Sequence, residues 1–355
     1  MSSMQPKPSA SEGFYSPRDL TYIRPAKRRL TEYEAVICNT QPDLNQFDVG
    51  DWYVLRPDGR GSFDPDSTAL VHPNWFDFRD PSALWQRPYM KLQAQQERSI
   101  SHAIDAAKRN GSLAEIQPKW LQTLATYYEA FASMEWGIFL AHAYVAREAL
   151  SDTITMTFTF SGMDRLRHQQ DIALYSLDLH ESVDAYQEGL GKSCWLEDPA
   201  MQDARRLVER LMVVSDWAEI VTMTHLVVDP LITSLIGGEF FRRLAPLHGD
   251  VGTPVIEMIA ESDRVRSRDA ATHFVSMVTA TTDRAGKAVP AQENMQVIQS
   301  WVDSWYPEAL EAVDNFLPLF ETMAIGRNFS GTARDRVVES TNEALVVLGL
   351  QIPRV

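Results

Sequence analysis

The sequence predicts an all-α protein in which a bundle of long helices follows an irregular N-terminal arm. Ten prolines, Pro6, Pro8, Pro17, Pro25, Pro42, Pro57, Pro65, Pro73, Pro81 and Pro88, interrupt any periodic element before residue 89. From Tyr89 onward, helix formers run in long stretches with few Pro or Gly. The one β-rich segment, "SDTITMTFTFSG" at 151–162, lies between two helical stretches, where an isolated strand would pair with nothing.

Taken in order, residues 1–88 form the arm and 89–355 the helical domain. Within the arm, "NQFDVGDWYVLRP" (45–57) and "HPNWFDFRDPSALWQRPY" (72–89) carry large aromatics that a free linker rarely holds. The arm is therefore expected to lie pinned across a surface, its own or a neighbour's. A first helix over 89–110 stops at Gly111, a residue suited to the left-handed end of a helix. Pro118 fits the first turn of a second helix that could reach Leu150. At about 1.5 Å per residue that helix is roughly 50 Å long. Its middle, "MEWGIFLAHAYVA", is apolar nearly all round and belongs in the centre of a bundle. The β-rich segment is read as helix, with Gly162 interrupting it or marking close packing. The pattern then resumes from Met163 to Glu188. Further helices are expected at 199–228, 230–246, 252–282 and 291–321, with a short one near 332–347, giving an all-α bundle.

Composition narrows the function. The formal charge is −15, with 48 Asp and Glu against 33 Lys and Arg, a field that disfavours nucleic acid and anionic membrane. "KRR" at 27–29 is too short to reverse that. No stretch approaches the roughly 20 apolar residues that cross a bilayer, and the N-terminus lacks the apolar core of a secretory signal. Cys38 and Cys194 form no Cys-x-x-Cys pair, so a reduced cytoplasmic protein is expected. The 9 Trp, 11 Tyr and 15 Phe exceed what a modest monomeric core needs and make a partner surface plausible. No Gly-rich phosphate loop and no nucleophile elbow occurs.

The chemistry-bearing stretch is "GMDRLRHQQDIALYSLDLH" (162–180). Arg165 and His168 stand three residues apart on one helix face, where a helical metal site would carry Glu and His. A di-iron carboxylate site in a four-helix bundle needs single Glu ligands on two helices and Glu-x-x-His on the other two. Four carboxylates neutralise and bridge the two ions, and two imidazoles complete the shell while leaving room for dioxygen. Part of that kit is present. Glu135 is the lone carboxylate in the apolar part of its helix, and "DRLRH" (164–168) returns as "DRVRS" (263–267), 99 positions on. His142, seven residues after Glu135 on the same face, reads as a core histidine. His180 beside Glu181, and His225 six residues after Glu219, lack ligand spacing and read as structural or surface residues.

On these residues the chain resembles the soluble bacterial multicomponent monooxygenases. Their catalytic subunit carries two Asp-Glu-x-Arg-His motifs, and their smaller hydroxylase subunit shares its fold but lacks the metal site. The resemblance places Arg165 and Arg264 where ligand Glu residues would be, keeps His168, and puts Ser267 at the second His. Glu135 matches the first single Glu, while Glu219, His225 and Asp229 remain open for the other. "RRLTEYEAV" (28–36) and residues 72–89 resemble segments of the small subunit, and the similarity spans roughly 20–320.

What the resemblance implies is a ferritin-like (ribonucleotide-reductase-like) bundle acting as the structural beta subunit of an NAD(P)H- and O2-dependent hydroxylase for a small hydrocarbon, propane or alkene in preference to aromatic. No catalytic, cofactor-binding or metal-ligating residue is expected in this chain. The di-iron centre would sit in an obligate catalytic alpha subunit, within a two-fold assembly with or without a small third subunit. NAD(P)H, FAD and an iron–sulfur cluster would act through a reductase, with a coupling protein regulating turnover. An Arg cannot ligate iron and stays protonated, so Arg165 and Arg264, if buried, must pair with carboxylates, Glu135 and Asp263 being candidates. Solvated arginines are the competing reading. Two other functions stand beside this one: a divergent metal-binding oxygenase subunit with its own site, and a ferritin-like binding protein without an oxygenase role.

Overall fold

The computed structural model describes residues 29–38, 64–187, 189–323 and 329–354. The segment 45–57 and most of the basic triplet lie outside them. The described residues are helical, and the sole β-type pairing among them is one bridge between Thr282 and Ala288. Helix α1 (Glu32–Ile37) is set by a reciprocal cap, in which Thr31 accepts from the Glu34 backbone and Glu34 accepts from that of Thr31. The arm is thus not wholly irregular.

The long helices follow the expected order. Helix α2 (Gln86–Asn110) ends on Gly111 at φ 77°, as its sequence anticipates. Helix α3 (Pro118–Thr123) runs through a π-turn (Leu124–Tyr128) into α4 (Glu129–Glu148). The β-rich segment is helical, the start of the 31-residue α5 (Asp152–Ser182), capped by Ser151. Gly162 does not break it. A methyl group there would stand 2.8 Å from the His142 Cβ, so the glycine marks close packing of α5 on α4.

The largest differences from the sequence reading lie between residues 199 and 246. After the short α6 (Gly191–Glu197), α7 (Pro199–Val213) stops early, and Asp216 caps a new helix, α8 (Trp217–Met223). The chain then passes through Pro230 without a break, because Thr224–Arg242 is π-helical. A π-helix leaves more room at the carbonyl that a proline ring would strike in an α-helix. Continuous helix from Trp217 to His248 is long and apolar enough to cross a membrane, which the sequence reading did not anticipate, yet 94% of its most apolar window is buried inside the bundle. Helices α9 (Gly252–Val278), α10 (Ala291–Phe316), α11 (Pro318–Thr322) and α12 (Ser330–Val347) complete the described chain.

Four elements surround the centre. Helix α4 packs on α5, α5 on α9, α9 on the π-helical segment, and α4 on α8. Helices α7, α10 and α12 cover this core from outside, while α2 lies on α9 and α5. The described parts of the arm are pinned to the chain's own bundle. Trp75 packs on Trp217 and Phe274, and the fully buried Phe78 packs on Phe158 and Phe274. Backbone groups of Ala69 and Val71 bond to Asp216 and Asn294.

Candidate functional site

The residues singled out from the sequence meet where the four central elements face one another. Helix α4 supplies Glu135, α5 Arg165 and His168, the π-helical segment His225 and Asp229, and α9 Arg264 and Ser267. All are buried, Glu135 and His225 completely and both arginines to 3% exposure, which disposes of the solvated-arginine reading.

Alternating charges tie these groups together. Arg165 donates to Asp229 and to both Glu135 oxygens at 3.2 and 3.3 Å. The Nδ1 of His168 lies 3.5 Å from Oε2 of Glu135, the oxygen that Arg165 approaches at 3.2 Å, and its Nε2 bonds Glu257 at 2.7 Å. Arg264 approaches Glu257 at 3.4 Å and donates through Nε to Glu261 at 3.1 Å. The sequence Asp229, Arg165, Glu135, His168, Glu257, Arg264, Glu261 thus crosses the bundle with no two like charges adjacent. Tyr128 donates a further hydrogen bond to Glu257.

Of the two carboxylates expected to receive these arginines, Glu135 does so and Asp263 does not. Asp263 is adjacent to Arg264 in sequence, hence about 100° away around the helix, and faces α2 instead. There the repeated motifs pair crosswise: Arg167 of the first copy donates to Asp263 of the second, and Arg266 of the second to Asp164 of the first. Tyr89 and Gln93 of α2 also donate to Asp164, and Gln96 to Asp263. Among the three residues left open for the second single-acid position, Asp229 faces the centre. Glu219 accepts from the Trp305 indole elsewhere, and His225 lies one turn before Asp229. Glu257 escaped the sequence reading, although it lies seven residues before Arg264 and so shares its face.

The charges set the proton affinities. Burial pushes the Glu135 carboxyl up, but Arg165 and His168 overcome this and hold it at about 2. Glu257 is lowered against burial by His168 and Arg264, and Asp229 by Arg165 and His225. Burial opposes charge on His168 as well, yet Glu257 and Glu135 raise it to about 9, making it a cation at neutral pH. In the outer layer, burial and then the neighbouring Asp263 push Asp164 up to about 7 despite Arg266 and Arg167.

This arrangement does not fit a metal ion. Two guanidinium groups stand among the carboxylates, His168 already donates to one of them, and the space left is about 10 Å³, near the lower limit for a single water. Among the described residues no group of three or more His, Cys, Asp or Glu is placed to hold a metal. Next to the lattice, His142 and His225 meet through their Nε2 atoms at 3.0 Å, both fully buried. His180 is exposed on the surface of α5.

An open groove of about 920 Å³ runs between α4, α5 and α7. Its acids are already committed: Glu129 accepts from Tyr186 and the backbone of Gly189 and Gly191, and Glu209 from Arg205. Exposed Trp136, Leu177 and Met212 stand along it, so it is an apolar surface without catalytic groups.

A ferritin-like bundle whose central carboxylates are bridged by arginines defines a class: a di-iron framework in which ion pairs hold the helices. Comparison with known proteins gives the same class. Residues 52–282 match the family model "Methane/Phenol/Alkene Hydroxylase". The beta chain of methane monooxygenase component A from Methylococcus capsulatus is 30% identical over 318 residues, 86% of this chain and 79% of that one. The small subunit of the propane 2-monooxygenase hydroxylase component from Mycolicibacterium goodii is 28% identical over 309 residues, 86% and 82% of the two chains. The phenol hydroxylase structure from Pseudomonas sp. OX1 superposes with a TM-score of 0.76 over 92% of this chain and 93% of its own, at 19% identity, which shows the shared fold. The chain belongs to the methane, phenol and alkene hydroxylase family, and within it is homologous to the non-catalytic beta, or small, hydroxylase subunits.

Proposed function

We propose that this chain is the structural beta subunit of the hydroxylase component of an NAD(P)H- and O2-dependent monooxygenase, located in the cytoplasm. Its obligate partner is a catalytic alpha subunit that holds the di-iron centre. Electrons reach that centre from a reductase carrying FAD and an iron–sulfur cluster, and a coupling protein regulates turnover. The hydroxylase is a two-fold assembly to which this chain brings an N-terminal arm, residues 1–88, whose described parts lie on its own bundle, and a helical domain, 89–355. Its substrate is a small hydrocarbon, and a short-chain alkane is favoured by the methane and propane enzymes among its relatives.

The observation that carries this reading is the filling of the ligand positions by Arg165, bonded to buried Glu135 and Asp229, and by Arg264, bonded to buried Glu257 and half-buried Glu261. A chain built this way contributes surface and rigidity to an assembly and leaves oxygen chemistry to another chain. Affinity purification of the chain from its native cells tests the proposal. A chain with two intact Glu-x-x-His motifs should come down with it in equal amount. A chain that elutes alone from cells active in hydrocarbon oxidation overturns the reading.

A further inference from the structure

We propose that the bundle centre binds one extra proton, carried by His225 as an imidazolium wedged between Asp229 and His142. Three contacts of the His142–His225 pair each require a hydrogen. His142 Nδ1 lies 3.0 Å from the carbonyl oxygen of Ile138, which can only accept, so that nitrogen bears a hydrogen. The two Nε2 atoms lie 3.0 Å apart and need one hydrogen between them. His225 Nδ1 lies 3.1 Å from an oxygen of Asp229, which Arg165 keeps ionised, and that contact needs a third. Two neutral imidazoles carry two hydrogens, and three contacts require three. The additional one belongs on His225, which alone of the pair touches a carboxylate.

The surroundings of His225 come from every packed element. On its own segment stands Asp229. Helix α4 contributes neutral His142, and α5 contributes Arg165 together with the Phe158 ring stacked at 5.9 Å. Arg268 of α9 acts from farther away. Burial opposes charge on His225, Asp229 favours it, and Arg165 and Arg268 oppose it; together these push its proton affinity below the ordinary histidine value, and the hydrogen count at the three contacts runs against that direction. Burial also pushes His142 down, to about 3, consistent with a neutral acceptor. Without the extra proton, two lone pairs face each other at 3.0 Å either between the rings or at the Ile138 carbonyl.

The proton joins α4 to the π-helical segment through the contact of His142 with His225.

Side-chain ¹⁵N NMR of the full chain, labelled only at histidine, tests this, with the signals of the pair assigned from the His225→Gln variant. At about pH 7, both His225 nitrogens should carry hydrogen, while His142 should show one bare nitrogen at Nε2. A bare nitrogen on His225 overturns the proposal. A second readout is the pH dependence of the urea midpoint above about pH 7. There the wild type should bind one proton more on folding than His225→Gln, and equal dependence in the two proteins contradicts the extra proton.

Discussion

Replacing Arg165 by methionine removes the cation that bridges Glu135 and Asp229, both at most 1% exposed. Methionine fills similar space, so the main change is electrostatic: two buried carboxylates lose their shared partner. Breaking a buried pair in this way costs about 3–5 kcal/mol, a large part of the roughly 5–15 kcal/mol that holds a folded protein. The sign of the pH dependence follows from Glu135, whose carboxyl is held at about 2 while Arg165 and His168 offset burial. Without Arg165 its proton affinity rises, so R165M should be most destabilised above neutrality and recover partly as pH falls below about 5.

The assay is urea unfolding followed by helical circular dichroism, on R165M and on a charge-free companion, Arg165→Met with Glu135→Gln and Asp229→Asn. The companion should regain most of the loss, ending within about 2 kcal/mol of wild type, because neutral groups need no counter-ion. A loss below about 1 kcal/mol in R165M, or a companion as unstable as the single variant, refutes the view that these ion pairs brace the helices.

Other consequences follow from the same contacts. His168 is raised to about 9 and Asp164 to about 7, so both stabilise at low pH and cease to do so as pH climbs through those values. The His168 part is on the order of 3 kcal/mol, and the urea midpoint should fall between pH 7 and 9, whereas a flat profile contradicts these raised affinities. A methyl group at Gly237 would strike the Glu257 carboxylate and press on Phe131. Gly237→Ala should therefore lower thermal stability by about 1–3 kcal/mol, and an unchanged melting temperature would show that Glu257 is free to move. Trp75→Ala removes the ring packed on Trp217 and Phe274. It should cost roughly 2–4 kcal/mol and speed protease cleavage within 64–85, and unchanged cleavage argues against that anchor.

Much of the architecture could be read from the residues, because helix signals are local. Gly111 stops α2, Pro118 opens α3, and the β-rich stretch at 151–162 had no strand to pair with. Pro230 misled because its ordinary effect is to break an α-helix, and nothing in the local pattern announces a wider π-helix. The short α1 was missed although Thr31 and Glu34 spell a capping box, since the surrounding prolines dominated the pattern. At the site, Arg165 and His168 were legible from their three-residue spacing and Glu135 as the lone carboxylate of an apolar stretch, while the resemblance assigned all three to ligand positions. The partner of Arg264 was within reach of the same spacing argument, since Glu257 shares its face and Asp263 does not, but the neighbouring acid of the motif was read as the partner instead. The crosswise pairing of the two motif copies gives the Asp and the second Arg of each a structural partner in the other.

Metal analysis of the purified hydroxylase, followed by separation of its subunits under conditions that retain bound iron, tests the central claim most directly. Iron should travel with the partner bearing intact Glu-x-x-His motifs, and this chain should carry none above trace after incubation with ferrous ion. Stoichiometric iron on this chain, lost on Glu135→Gln substitution, would contradict it.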